Sequence, residues 1–220
     1  MSKNERKSPY ADETLAILTV ANALLENDHF VYISGDHGSG WIDKDAIYPH
    51  TERIERLCRD MAGLVRGWGV DVVCGPATGG LIIAEWTAHE LGAVSVFTEH
   101  DTAPAGESLR GRFVLRRGYD RVVSGKRVLV VDDIVNTGLS LRQTAEAVRG
   151  AGGQMVGAAC LVSRGNVDAA GLGVGQFVYL LEYSIPAWPA SACKLCQAGV
   201  PINTRYAHGL DFLARQTIKR

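Results

Sequence analysis

"VLVVDDIVNTGLS" (Val128–Ser140) opens with four apolar residues and two adjacent acids, and after Ile134 and Val135 continues in a run rich in small and hydroxyl residues. The apolar run reads as a buried strand. The two carboxylates at its end lose hydration unless something held there compensates them. Asn136 to Ser140 reads as the start of a helix. The first N–H groups of a helix have no partners within it, and its dipole favours an anion there. Thr137 and Ser140 add hydroxyl donors, Gly138 allows close backbone approach, and Leu139 completes a cup sized for one phosphate. Asp132 and Asp133 cannot bind that phosphate. They suit neighbouring hydroxyls, or a metal bridging to other oxygens. A phosphate next to a polyhydroxyl ring is a sugar phosphate, such as ribose 5-phosphate.

The same pattern repeats on either side. "VDVVCG", "AVSVFTE", "QMVGAACLVSR" and "QFVYLLEYS" read as further strands, and "LIIAEWTAHELG" and "GLSLRQTAEAVRGAGG" as helices, the second with Leu141, Ala145 and Val148 turned inward. Strands and helices that alternate, with continuous apolar strands, predict an α/β fold: a parallel sheet flanked by helices. "HTERIERLCRDMAGLVRGWG" places Ile54, Leu57, Cys58, Met61, Leu64 and Val65 on one helical face, with Thr51 as N-cap. Before it, "ADETLAILTVANALLEND" predicts a helix from about Asp12 to Glu26. "HFVYISGDHGSGWIDKDAIY" predicts a hairpin around a Gly-rich turn. Residues before 51 and after 184 do not follow the alternation. The expected division is therefore 1–50 (N-terminal helix and hairpin), 51–184 (core) and 185–220 (tail), with hairpin and tail forming a small hood.

Basic and acidic residues number 23 and 24, for a net charge of -1, which argues against a nucleic-acid-wrapping protein. Small anions are still compatible, because backbone N–H groups bind phosphate without net positive charge. No apolar run approaches a membrane span. The polar start "MSKNERKSPYADET" lacks the apolar stretch of a signal peptide, and Cys58, Cys74 and Cys160 lie in apolar surroundings. The expectation is a cytoplasmic protein with reduced thiols and no membrane partner.

Ligands of an open parallel sheet bind beyond the carboxyl ends of its strands. "GPATGG" (Gly75–Gly80) supplies a second Gly-rich anion loop on a neighbouring strand and lacks the pattern of nucleoside triphosphatases. Two phosphate sites around one ribose suggest a 5-phosphate and a 1-pyrophosphate. At this point the sequence resembles a known family. A hydrophobic strand, Asp-Asp, three residues, Thr-Gly and a nearby Ser is similar to the phosphoribosyl pyrophosphate signature of type I phosphoribosyltransferases. Within that family the hairpin, "VCGPATGGLIIA" and "LVSRGN" resemble the orotate phosphoribosyltransferases.

The resemblance implies a type I phosphoribosyltransferase fold and a set of roles. Asp132 and Asp133 hold the ribose hydroxyls and favour positive charge at C1. Asn136 to Ser140 bind the 5-phosphate. Thr78, Gly79 and Gly80 lie near pyrophosphate and Mg²⁺. Arg164 pairs with the orotate carboxylate. Lys44 is either a base-site residue or part of hairpin solvation, and no side chain is assigned as a direct metal ligand. The implied partners are phosphoribosyl pyrophosphate, orotate and a second copy of the chain in a homodimer. Orotate enzymes usually close a lysine-rich loop over the pyrophosphate of the adjacent subunit. Here "TEHDTAPAGESLRGRFVLRRG" has no lysine, which leaves Arg110 and Arg112 as the expected moving cations and Arg116 and Arg117 as candidates for fixed ones.

Two other functions fit the same signature: transfer to a different base, and a regulator that senses phosphoribosyl pyrophosphate and binds nucleic acid. "CKLC" (Cys193–Cys196) is a C-x-x-C with His208 as a third candidate ligand and no evident fourth. It reads as a turn with two thiols, or as a metal site shared across a dimer axis.

Overall fold

The computed structural model describes residues 8–101 and 111–218. The chain forms two compact units, Met1–Leu15 with His50–Tyr183, and Ala16–Pro49 with Ser184–Arg220. Helix α1 (Ala11–Val20) starts in the first unit and ends in the second. The sequence predicted helix as far as Glu26, but Asn22 takes a left-handed conformation (φ 53°) and the Ala23 N–H closes back on Leu18. Asparagine tolerates this conformation and so stops a helix as glycine does. Leu24 to Glu26 instead belong to strand β1 (Leu24–Val31), antiparallel to β2 (His37–Ile42), and Leu25 faces Trp41. The apolar run Leu24-Leu25 suits either element, and the turn at Asn22 decides between them.

The first unit carries the alternating pattern. Helix α2 (Thr51–Val65) buries Ile54, Leu57, Cys58, Met61 and Val65 as expected. Its N-cap is His50 rather than Thr51, and no side chain caps it. Asp60 is also buried on this helix, held by the Nε of Arg56 at 3.3 Å. Strand β3 (Val72–Pro76), helix α3 (Gly79–Leu91) and strand β4 (Val94–His100) follow, and α3 stops at left-handed Gly92. Then come β5 (Phe113–Leu115), α4 (Tyr119–Val123), β6 (Arg127–Val135), α5 (Leu139–Gly150), β7 (Gln154–Ser163), α6 (Ala169–Leu172) and β8 (Phe177–Glu182).

These strands form a sheet in the order β5-β4-β3-β6-β7-β8, parallel except for β5, which pairs antiparallel with β4. Val128 to Val131 in its centre are fully buried. Each such side chain contributes roughly 1.5–3 kcal/mol. Leu141, Ala145 and Val148 of α5 pack on one side of that sheet, as their spacing predicts.

In the second unit, β9 (Ala187–Trp188) extends the hairpin by pairing with β2. Helix α7 (Lys194–Gln197) follows, and the chain then runs beside β1: Asn203 N–H donates to the His29 carbonyl and His208 N–H to that of Val31. Helix α8 (Gly209–Ile218) ends the described chain. Trp41 stacks on Tyr32 within this unit. Among the described residues, no helix is long and apolar enough to cross a membrane.

Candidate active site

The parallel strands β3, β4, β6 and β7 end at Pro76, His100, Val135 and Ser163, so the four loops singled out in the sequence leave the same edge of the sheet. Strand β6 runs further than the sequence suggested. Asp132 and Asp133 lie within it, only 9% and 5% exposed, and not in the loop beyond. Local bonds turn the carboxylates back on the chain: Asp132 Oδ1 accepts the Asp133 N–H at 2.9 Å, and Asp133 Oδ1 accepts that of Ile134 at 2.6 Å. Cys160 pairs with Asp132 in register on β7, and burial, then the two acids, push its thiol pKa well up. A thiol so placed stays neutral and adds no charge beneath the acids.

Helix α5 begins at Leu139, four residues after β6 ends at Val135. Gly138 is its N-cap at φ 71°, and no side chain caps the helix. The first helical bond runs from Arg142 N–H to the Gly138 carbonyl, so the N–H groups of Leu139 and Ser140 precede the helical ladder. Gly138 cannot be replaced without strain, because a Cβ there would sit 2.4 Å from Leu172 Cδ2. One strand away, the turn from Gly75 to Gly80 is packed as tightly. A Cβ on Gly75 would lie 1.9 Å from the Gly80 carbonyl oxygen. The turn is tied sideways by Ala77 N–H to the Thr98 carbonyl, and Thr98 Oγ1 meets Thr144 Oγ1 of α5 at 2.9 Å. Thr78 is exposed at the N-cap of α3, and Gly79 and Gly80 are buried in its first turn.

The loop after β7 braces the cup. Arg164 N–H donates to the Val135 carbonyl at 2.8 Å. Asn166 Nδ2 donates to Asn136 Oδ1 at 2.7 Å, which joins the two loops side chain to side chain. The sequence singled out neither Asn166 nor the packing of Val167 and Leu172 against Gly138. An amide in a post-strand loop was visible, but its partner, 30 residues earlier, was not.

The structure thus gathers Asp132, Asp133, Asn136, Thr137, Gly138, Leu139, Ser140 and Arg164 at adjoining strand ends, with Thr78, Gly79 and Gly80 one strand over. Arg112 of the same unit does not join them. Lys44 opens a short 3₁₀ helix (Lys44–Ala46) in the second unit, half-buried. Arg110 lies outside the described residues. Arg112 is exposed where the loop returns, its carbonyl bonded to Asp101 N–H at 2.7 Å. It lines a groove with Glu146, Ala147 and Gly150 of the far half of α5, away from the acidic pair's end. Arg116 and Arg117 are held by ion pairs. Arg116 meets Asp101 at 2.5 Å, and Arg117 grips both oxygens of Glu99 at 3.0 and 2.9 Å. This grip holds the Glu99 carboxyl below the usual range.

The C-x-x-C does not use His208 as a partner. The His208 ring lies 3.7 Å from Asp211 Oδ2 instead, and the side chains near the two thiols are His29 and His37 of the hairpin.

Residues 45–168 match the family model described as a phosphoribosyl transferase domain. An orotate phosphoribosyltransferase of Pelotomaculum thermopropionicum is 37% identical over 190 residues, covering 86% of this chain and 94% of the relative. One from Brucella ovis is 37% identical over 193 residues, with the same coverage. The crystal structure of the orotate phosphoribosyltransferase of Aeropyrum pernix superposes with a TM-score of 0.59 at 25% identity, covering 76% of this chain and 92% of that one.

Proposed function

Because the chain belongs to the phosphoribosyltransferase family, and within it is most like the orotate phosphoribosyltransferases, we propose that it transfers ribose 5-phosphate from 5-phosphoribosyl 1-pyrophosphate to orotate. The products are orotidine 5'-phosphate and pyrophosphate, in de novo pyrimidine synthesis. The observation that carries this reading is the buried pair Asp132-Asp133 leading, within one strand end, into the glycine-opened N-terminus of α5. A phosphate at that N-terminus sets the attached ribose beside the acids.

In the reaction the C1–oxygen bond breaks and its electron pair leaves with pyrophosphate. The N1 lone pair of orotate forms the new bond, and the N1 proton is released. Asp132 and Asp133 hold the ribose hydroxyls and favour the positive charge that develops at C1. Such charges, fixed in place before reaction, act without reorganising. Residues 136–140 fix the 5-phosphate, and the main chain at Thr78, Gly79 and Gly80 faces the pyrophosphate. Arg164 pairs with the orotate carboxylate, a planar group suited to a guanidinium fork. The carboxylates of Asp132 and Asp133 offer the hard oxygen donors that would suit Mg²⁺, and the one thiol beside them, Cys160, stays protonated. When bound, Mg²⁺ supplies charge neutralisation for the departing pyrophosphate. Arg110 and Arg112 add positive charge there from the neighbouring subunit of a homodimer. The enzyme works in the cytoplasm.

Pyrophosphate release from phosphoribosyl pyrophosphate, followed with a panel of bases, tests the reading. Release with orotate, and none with adenine, guanine, hypoxanthine or uracil, is expected. Release with a purine and none with orotate would overturn the choice of base.

A further inference from the structure

The second unit brings together four side chains that the transfer reaction does not use. His29 and His37 stand on β1 and β2 of the hairpin. Cys193 and Cys196 stand at the start of α7 and within it, more than 150 residues later. Each offers one ligand atom, and the four atoms all lie within 4.8 Å of one another. His29 Nε2 is 3.5 Å from Cys193 Sγ and 3.7 Å from Cys196 Sγ, and His37 Nδ1 is 3.3 Å from Cys196 Sγ. A tetrahedral Zn²⁺, with bonds of about 2.0–2.1 Å to nitrogen and about 2.3 Å to sulfur, spaces its ligand atoms about 3.3–3.8 Å apart. The two ring nitrogens are 2.8 Å apart. They need to part by only about half an ångström to admit such an ion.

Two further features fit. His29 Nδ1 donates to the Val200 carbonyl at 2.8 Å, which puts the proton on Nδ1 and turns the Nε2 lone pair toward the cluster. An outer carbonyl of this kind is the usual support of a metal-bound histidine. Cys193 Sγ also accepts the Cys196 N–H at 3.5 Å, a bond that stabilises charge on the sulfur. His29, His37 and Cys193 are buried, so a sulfur anion here needs a cation beside it.

We propose that His29, His37, Cys193 and Cys196 bind one Zn²⁺ that pins the tail to the hairpin. Two thiolates and two imidazoles, with no carboxylate in the set, select a borderline-soft ion over Mg²⁺ or Ca²⁺. All four positions are taken by protein, so the site is structural and leaves no place for a substrate. The ligands come from one chain and one unit, so no dimer axis is needed.

The test uses the full chain, purified without chelator. Elemental analysis should find one zinc per chain, and X-ray absorption at the zinc edge should show a shell of two sulfurs and two nitrogens. Cys193→Ser with Cys196→Ser should remove the metal. Should that variant fail to fold, the natural chain is stripped of metal and titrated with Co²⁺, and should develop the visible bands of tetrahedral cobalt together with thiolate charge transfer. A chain that is purified without metal and takes up neither Zn²⁺ nor Co²⁺ overturns the proposal. So does a zinc shell of oxygen and nitrogen alone, or another metal in its place.

Discussion

At the scale of single residues, the candidate site rests on Asp132, Asp133 and Arg164. The acids are buried in a strand and bonded to their own main chain, so Asn at both positions keeps the shape and removes the charge. Asp132→Asn with Asp133→Asn is expected to leave the melting curve near that of the parent. The loss of two groups aimed at the developing charge should cost about 3 kcal/mol or more of the barrier lowering, a fall in kcat of roughly two orders of magnitude. Near-normal turnover in the folded double variant would remove the acids from the mechanism. Arg164→Ala separates base from ribose. Its main-chain N–H stays bonded to Val135, so the loop is retained. A charge-assisted pair worth about 1.5–3 kcal/mol is lost. KM for orotate should rise about 10- to 150-fold by the same energies, with that for phosphoribosyl pyrophosphate nearly unchanged. Unchanged orotate kinetics would place base recognition elsewhere.

At the scale of elements, what the sequence revealed depended on how local the cause was. The β6–α5 unit was legible because its signals are contiguous: an apolar run, the acids, then Thr-Gly and a helical period. The end of α1 was not, because Leu24-Leu25 fits helix or strand, and the left-handed turn at Asn22 decides it. The Asn136–Asn166 bond and the histidines beside the C-x-x-C were invisible for a different reason. Each joins residues far apart in the chain, and only folding pairs them. The loop between β4 and β5 is a middle case. Its arginines could be read, and nearness to the strand marked Arg116 and Arg117 as candidates for fixed ones, but the acids that hold them could not be named. Arg116 and Arg117 are bound to Asp101 and Glu99, and the proposed reading gives the pyrophosphate to Arg110 and Arg112. Arg112 sits on the far half of α5, so delivery to a neighbouring subunit fits its place better than delivery to its own acids. Mixing inactive Asp132→Asn chains with inactive Arg110→Ala/Arg112→Ala chains should restore activity, because each hybrid dimer then holds one site with both defects and one with neither. No recovery on mixing would place the cations in their own subunit, and full activity in the arginine variant alone would end the lid assignment.

At the scale of the whole molecule, the five cysteines are divided between the two units, and their chemistry differs by unit. Cys58, Cys74 and Cys160 belong to the first and are buried. Burial pushes the thiols of Cys58 and Cys74 up to about 12, and that of Cys160 also well above its usual value. The thiolate is the reactive form, so near pH 8 such a thiol is ionised to only about one part in ten thousand. Cys193 and Cys196 belong to the second unit, where zinc would hold them as thiolates and shield them. That unit has roughly 70 residues, a size at which a core often needs a covalent or metal cross-link to persist. A thiol reagent under native conditions should therefore react slowly at every cysteine while zinc is bound. Adding a strong chelator should release two thiols in one fast phase and lower the first thermal transition. The remaining three should react only in denaturant, when the parallel sheet opens. Two thiols that react at the same rate before and after chelation would mean that no metal guards them. More than two released by chelation alone would mean that the zinc also maintains the first unit, whose core would then depend on the hairpin and tail for its stability.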